Sequence, residues 1–145
     1  MARFVILAFI AGFLAVICFH QAAAGLLHAF GIIPSAPYNA SPTAPFGVPA
    51  WFSASFWGGL WGILMLWLFN HFNITQGQWW KALLFGGIAL TLVAMVIVFP
   101  LKGRGFSLAV FPIGFIVNAA WGVGTLVFAR VFHLSLGKTG KPTTV

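Results

Sequence analysis

Phe56-Trp57-Gly58-Gly59-Leu60-Trp61-Gly62 is the stretch that decides how the chain folds. Gly58 and Gly62 form a GxxxG pair, a spacing that lets the backbones of two membrane helices approach closely. Trp57 and Trp61 form a ridge beside the pair on the same helix. A GxxxG pair on its own is a weak signal for dimerisation, so its meaning depends on the helices that surround it.

The composition is that of a membrane protein. Of the 145 residues, 61% are hydrophobic and 5% are charged, whereas an ordinary soluble domain has about 25% charged residues. A water-soluble fold is therefore excluded. The net charge of +7 arises from 7 Lys and Arg residues with 0 Asp and Glu residues. Because a nucleic-acid site needs clustered cations on a solvated surface, we expect no nucleic-acid partner.

The lack of carboxylates restricts the chemistry that this chain can perform. General acid–base pairs, hard-cation sites and carboxylate proton relays all require Asp or Glu, and the chain contains neither. Cys18 is the single cysteine and lies in an apolar run, so neither a disulfide nor a thiolate metal site is available. The sequence therefore predicts a protein that is not an enzyme and that has no metal site.

Four apolar runs predict four membrane-spanning helices, at about residues 4–30, 51–69, 81–99 and 106–133. The first run also resembles a secretory signal, but it continues past its small-residue site to Phe30, so we expect an uncleaved helix. Residues 134–145 form a short basic tail. The expected fold is an all-α membrane protein, with one transmembrane domain over residues 1–145 that forms a four-helix bundle.

A long proline-rich loop separates the first two predicted helices. Residues 31–50 contain five prolines and no charged residue, which prevents a continuous helix and favours extended or turn backbone. A loop of this length is uncommon in a compact domain unless it has a function or is disordered. We expect it to fold over the end of the bundle through apolar anchors, namely Tyr38, Phe46, Val48, Trp51 and Phe52.

The distribution of cations predicts the orientation in the membrane. Four spans place both termini on the same side. The opposite side holds only Lys102 and Arg104, and the side of the termini holds the other five cations: Arg3, Lys81, Arg130, Lys138 and Lys141. Both termini and the tail are therefore expected to be cytoplasmic.

Each predicted helix carries a stripe of small residues at spacings of three and four, such as Ala8 and Gly12 on the first helix. Four such stripes favour a compact bundle whose seams are internal. The GxxxG pair is therefore interpreted as an internal seam, with the neighbouring tryptophans as wedges against other helices. The glycines of the second and fourth helices that we expect at these seams are Gly58, Gly59, Gly62, Gly114 and Gly122.

Four polar residues fall near the middle of the predicted spans: His20, Gln21, Thr91 and Asn118. Unpaired polar groups are costly at this depth, so they should face inward and bond to each other. We predict a contact between His20 and Asn118, direct or through water. Such a buried polar layer can hold helices together, or it can form a step on the path of a solute or a proton.

Two further groups of residues suggest ligands. His71 and His133 fall at the same cytoplasmic level on different helices, and two such histidines could ligate haem b axially if both imidazoles face one slot. Lys102 and Arg104 lie in a glycine-containing turn on the side that the charge rule disfavours. They either touch lipid headgroups as a solvated turn or dock on the acidic surface of a partner.

Several short motifs carry a resemblance: Phe19-His20-Gln21, the segment 42–49 reading PTAPFGVP, the FWGGLWG run at 56–62, and Pro100-Leu101-Lys102-Gly103. Together they resemble an uncharacterised family of small four-span inner-membrane proteins of proteobacteria, over most of the chain. The resemblance implies a bacterial inner membrane and a four-span topology. It implies no activity and no site residue.

Three functions remain open from the sequence. The leading hypothesis is a non-catalytic accessory or assembly subunit of a larger membrane complex, with membrane lipids and other membrane subunits as partners. It rests on cations without acidic partners and on a charge-free loop that could cover a neighbour. The alternative is a small oligomeric transporter or channel for an anionic or neutral solute. The third is a redox subunit linked to haem or quinone.

Overall fold

The computed structural model describes residues 1–101, 103 and 105–137. Within these residues, four helices are long and apolar enough to cross a membrane, as expected of a multi-pass membrane protein. We name them α1 (Ala2–Ala29), α2 (Ala50–His71), α3 (Gln78–Val98) and α4 (Leu108–Val131). Each differs from its predicted bounds by a few residues. Lys102, Arg104 and residues 138–145, which include most of the predicted basic tail, lie outside the described residues.

Three of the helices end in the same backbone motif. Gly31, Asn73 and His133 follow the ends of α1, α2 and α4 with positive φ angles of 71°, 49° and 54°. In each case the next residue donates its N–H to a carbonyl one turn back, as Ile32 does to Leu27 at 2.9 Å. This left-handed C-terminal cap satisfies helix carbonyls that would otherwise lack donors.

Two helices contain π-helical turns. In α1 the π-helical segment is Val16–His20, and in α3 there are two, Phe85–Leu90 and Ala94–Val98. Single π-helical turns inside α-helices often lie at functional sites. In α4, a 3₁₀ turn at Leu108–Val110 leads into the α-helical part Phe111–Val131, whose first turn accommodates a proline.

The α1–α2 seam is made of glycines. A Cβ atom added to Gly12 would collide with the carbonyl oxygen of Gly58 and would lie 2.9 Å from the Cα atom of Gly62. Only backbone atoms meet here, so the two helices can approach this closely only without side chains. Gly58 and Gly62 therefore face α1 of the same chain, and Gly59 lies against the ring of Phe9.

A second glycine seam joins α3 and α4. A Cβ atom on Gly86 would collide with the carbonyl of Asn118, and one on Gly122 would collide with the carbonyl of Ala82. Gly114 lies farther along α4, where its added Cβ would be 2.7 Å from Cγ2 of Thr91. The α4 glycines that the sequence singles out thus face α3.

Trp121 connects the two seams. Its side chain is 1% exposed, and its indole N–H donates a 3.0 Å hydrogen bond to the carbonyl of Gly12 in α1. An added Cβ on Gly58 would lie 3.1 Å from the same indole nitrogen. This single side chain of α4 therefore touches both helices of the α1–α2 seam.

The four helices are arranged in the order α2, α1, α4, α3. α1 packs extensively on both α2 and α4, and α4 packs on α3, whereas α2 and α3 make little direct contact. Their rings meet at Trp61 and Phe85, with centroids 6.2 Å apart. The bundle is thus less compact than the stripes predict, because α2 and α3 meet through a ring contact and not through a backbone seam.

Residues 30–49 connect α1 to α2 and include a short antiparallel pair, Pro42–Thr43 with Val48–Pro49. Tyr38 attaches this connection to α1. Its backbone N–H donates to Oε1 of Gln21 at 2.8 Å, and its hydroxyl donates to the carbonyl of Ile17 at 2.7 Å. Of the anchors predicted for this segment, Tyr38 therefore bonds to the bundle, whereas Phe46 is 87% exposed.

Candidate functional site

A cavity of about 210 Å³ lies between α2 and α3, and its inner wall is formed by α1 and α4. Two polar side chains, His20 and Asn118, line it together with three tryptophans, Trp57, Trp61 and Trp121. The remaining lining is aliphatic or small. An apolar cavity with a few polar groups is the usual form of a small-molecule site.

The cavity opens on the side where α2 and α3 do not pack. Trp57 lines the cavity and is 58% exposed, which places the opening beside its ring. The contact between Trp61 and Phe85 closes the space toward the end of the bundle that holds the N-terminus. In a multi-pass membrane protein, such an opening would face lipid or another membrane protein.

His20 provides an unsatisfied polar group at this site. Its Nδ1 atom is buried and has no hydrogen-bond partner in the described part of the protein. A buried polar atom without a partner is costly, and more so at membrane depth. Each such atom in a native structure needs an explanation.

Asn118 bonds to α3 rather than to His20. Its Nδ2 atom donates a 3.0 Å hydrogen bond to Oγ1 of Thr91, which is 1% exposed. No direct hydrogen bond joins His20 and Asn118 in the described residues, although both side chains line the same cavity. The amide of Asn118 retains a second N–H and a carbonyl oxygen.

Gln21 belongs to a different contact. It follows His20 in the chain, but it is buried and accepts the backbone N–H of Tyr38. The four polar residues predicted to form one layer are thus divided among three places: the cavity wall, a bond between α3 and α4, and the attachment of the 30–49 connection.

The π-helical segments form much of the cavity wall, and the sequence did not reveal this. Val16 and His20 belong to the segment in α1, Leu90 ends the first segment in α3, and Ala94 and Val98 bound the second. A π-helical turn has no composition signal comparable to that of a cap or a GxxxG pair. All three π-helical segments contribute residues to this one cavity, which supports a functional interpretation of the cavity.

The cation pair Lys102 and Arg104 lies outside the described residues. At the end of the bundle that holds the N-terminus, Arg130 is described: it donates to Oε1 of Gln78 at 3.1 Å and stacks over the ring of Trp79 at 4.5 Å. An amide oxygen and an aromatic face thus take the place of a carboxylate partner.

The two histidines considered for haem are exposed. His71 stacks on Trp67 with ring centroids 4.9 Å apart, and His133 follows the end of α4 in the left-handed conformation. Their imidazoles make no ring contact or hydrogen bond with each other in the described structure. Among residues 1–101, 103 and 105–137, no group of three or more His, Cys, Asp or Glu side chains could hold a metal ion.

Comparison with known proteins identifies no homologue: the chain matches no family model, no curated protein and no solved structure. Its function therefore has to be inferred from its own geometry.

Proposed function

We propose that this protein is a non-catalytic integral membrane protein that serves as an accessory or assembly subunit of a larger membrane complex. The observation that carries the proposal is the open side between α2 and α3. A four-helix bundle in which each helix packs on two neighbours would close this side. In this chain, α2 packs mainly on α1, and α3 packs mainly on α4. A helix of another subunit, packed along the opening, would complete the bundle.

The residues that border the opening fit a protein partner. Trp57 lines the cavity at the opening and is 58% exposed on α2. Aromatic side chains provide a large contact area at a low entropic cost, which is why they are enriched at interfaces.

The charge balance supports the same proposal. The chain has no Asp or Glu, so Arg130 and Lys81 bind an amide and a carbonyl oxygen instead of a carboxylate. Carboxylates of another subunit or phosphates of membrane lipids would supply the missing counter-charges. Lys102 and Arg104 are proposed to dock on lipid headgroups or on an acidic partner at the opposite end.

The proposed setting is a bacterial inner membrane with both termini in the cytoplasm, in a chain related to the four-span proteins that it resembles. The proline-rich loop between α1 and α2 would then cover the outer end of the bundle. In this orientation the cavity lies between the membrane centre and the outer face.

A small oligomeric transporter for a neutral or anionic solute is the second candidate. It is favoured by the two polar side chains that line the cavity, His20 and Asn118. Because Trp121 fills the centre of the single chain, a transport path would have to form between copies. A haem- or quinone-linked redox subunit is the third candidate, with His71 and His133 as the axial pair in the haem version.

A photo-cross-linking experiment separates these candidates. A photoreactive phenylalanine replaces Trp57 at the opening or, as a control, Ile116, which is 47% exposed on α4 and does not line the cavity. The accessory-subunit proposal predicts an adduct with one other membrane protein from position 57 only, and stoichiometric copurification of that protein in mild detergent. Adducts with a second copy of the chain would favour the transporter. A monomer without adducts would refute both.

A further inference from the structure

We propose that the cavity between α2 and α3 binds the headgroup of a neutral, ring-type lipid that carries hydrogen-bonding oxygens, as isoprenoid quinones do. The lipid tail would leave the cavity beside Trp57 and would lie in the opening, along a partner helix where one is bound. This inference concerns a ligand site within the single chain and does not depend on a partner subunit.

The volume of the cavity limits what can occupy it. The cavity holds about 210 Å³. A cavity of about 150 Å³ is sufficient for one benzene ring. A single six-membered ring with oxygen substituents therefore fits.

The polar groups of the wall suit carbonyl or hydroxyl oxygens. His20 lines the cavity, and because its Nδ1 atom is fully buried, Nε2 is the ring nitrogen that a ligand could reach; it can donate or accept one hydrogen bond, depending on the tautomer. Asn118 keeps a free N–H beyond the one that it donates to Thr91. A ligand with oxygens on its ring could bond to both groups, which an acyl chain could not do.

The remaining lining selects a neutral and flat ligand. No carboxylate, lysine or arginine lines the cavity in the part of the chain that the structure describes, so a charged headgroup would be buried without a counter-ion. Trp57 and Trp61 offer aromatic faces on which a ring can stack. The lateral opening gives access from the lipid phase, where such molecules are dissolved.

Tryptophan fluorescence provides the test. The full-length protein in lipid nanodiscs is titrated with a decyl-tailed benzoquinone, which quenches indoles that it touches. We expect a saturable component above the linear quenching caused by partition into lipid. Decylbenzene, which has the same tail and a ring without oxygens, should compete at least tenfold more weakly than the quinone.

Three variants locate the site. Ala94→Phe places a ring inside the cavity and should abolish the saturable component, whereas Val96→Phe, on the same π-helical segment but 59% exposed, should leave the apparent affinity unchanged within about twofold. His20→Phe removes the hydrogen-bonding group and should weaken binding about fivefold to tenfold.

Two results would overturn the proposal. Purely linear quenching of the wild-type protein would show that the quinone only partitions into lipid. Equal competition by decylbenzene would show that the cavity accepts an apolar group without recognising oxygens. Both are measured on the unmodified chain, so they remain decisive if a variant fails to fold.

Discussion

Substituting alanine for Gly12 tests whether the α1–α2 seam holds the bundle together. The added Cβ would collide with the carbonyl oxygen of Gly58 and would lie 2.9 Å from Cα of Gly62. Neither atom belongs to a side chain, so no rotamer change can relieve the contact. The two helices would have to separate by roughly 1 Å to reach ordinary van der Waals distances.

The expected magnitude follows from two opposing terms. Alanine favours an α-helix over glycine by about 0.8–1.0 kcal/mol. Overpacking of a close seam costs about 1–3 kcal/mol, and a 1 Å separation forfeits about a quarter to a half of the dispersion energy of the atoms involved. Dispersion is the main attraction between membrane helices, so we expect an overpacking cost near the upper end, about 3 kcal/mol. After the gain in helix propensity is subtracted, the free energy of unfolding should fall by about 2 kcal/mol.

Gly25→Ala is the matched control. Gly25 lies in the same helix, but its added Cβ would meet only the side chain of Pro37, whose nearest atom, Cγ, would be at an ordinary 3.4 Å. This variant should be unchanged or more stable by up to about 1 kcal/mol. The free energy of unfolding is measured by titrating the purified proteins with sodium dodecyl sulfate in mild detergent. If Gly12→Ala proves as stable as Gly25→Ala, the backbone seam does not determine stability.

Two further predictions concern the polar contacts. Thr91→Val keeps the shape of the side chain but removes the acceptor of the Asn118 amide, so the same titration should show a loss of about 0.6 kcal/mol; an unchanged midpoint would mean that the bond contributes nothing. Tyr38→Phe removes the hydrogen bond to Ile17, which should raise the rate of chymotrypsin cleavage at the exposed Phe46 about twofold to tenfold; an unchanged rate would show that this bond does not restrain the connection.

The main architecture could be predicted because membranes impose strong constraints on sequence. A chain without carboxylates and with four long apolar runs leaves few alternatives, and the four predicted helices are confirmed as long and apolar enough to span a membrane. That Gly58 and Gly62 face a helix of the same chain could also be predicted, since stripes of small residues mark close helix contacts; that this helix is α1 could not.

The cavity could not be predicted, because it depends on features without a local signature. Neither the π-helical turns nor the separation of α2 and α3 follows from the spacing of apolar residues. His20 and Asn118 were placed at similar depth from the sequence, but depth does not fix direction around a helix. Asn118 bonds to Thr91, and Nδ1 of His20 has no hydrogen-bond partner among the described residues.

The two glycine seams imply a modular assembly. Each half of the molecule is a hairpin of two consecutive helices, α1 with α2 and α3 with α4, and backbone contact closes each hairpin. The two hairpins meet where α1 packs on α4 and the indole of Trp121 bonds to Gly12. A cut in the connection at residues 72–77 leaves these interfaces intact. The two halves, expressed together as separate chains, should therefore associate in the membrane and elute together in size-exclusion chromatography. The molecule can thus be regarded as a heterodimer of helical hairpins that a short linker joins covalently.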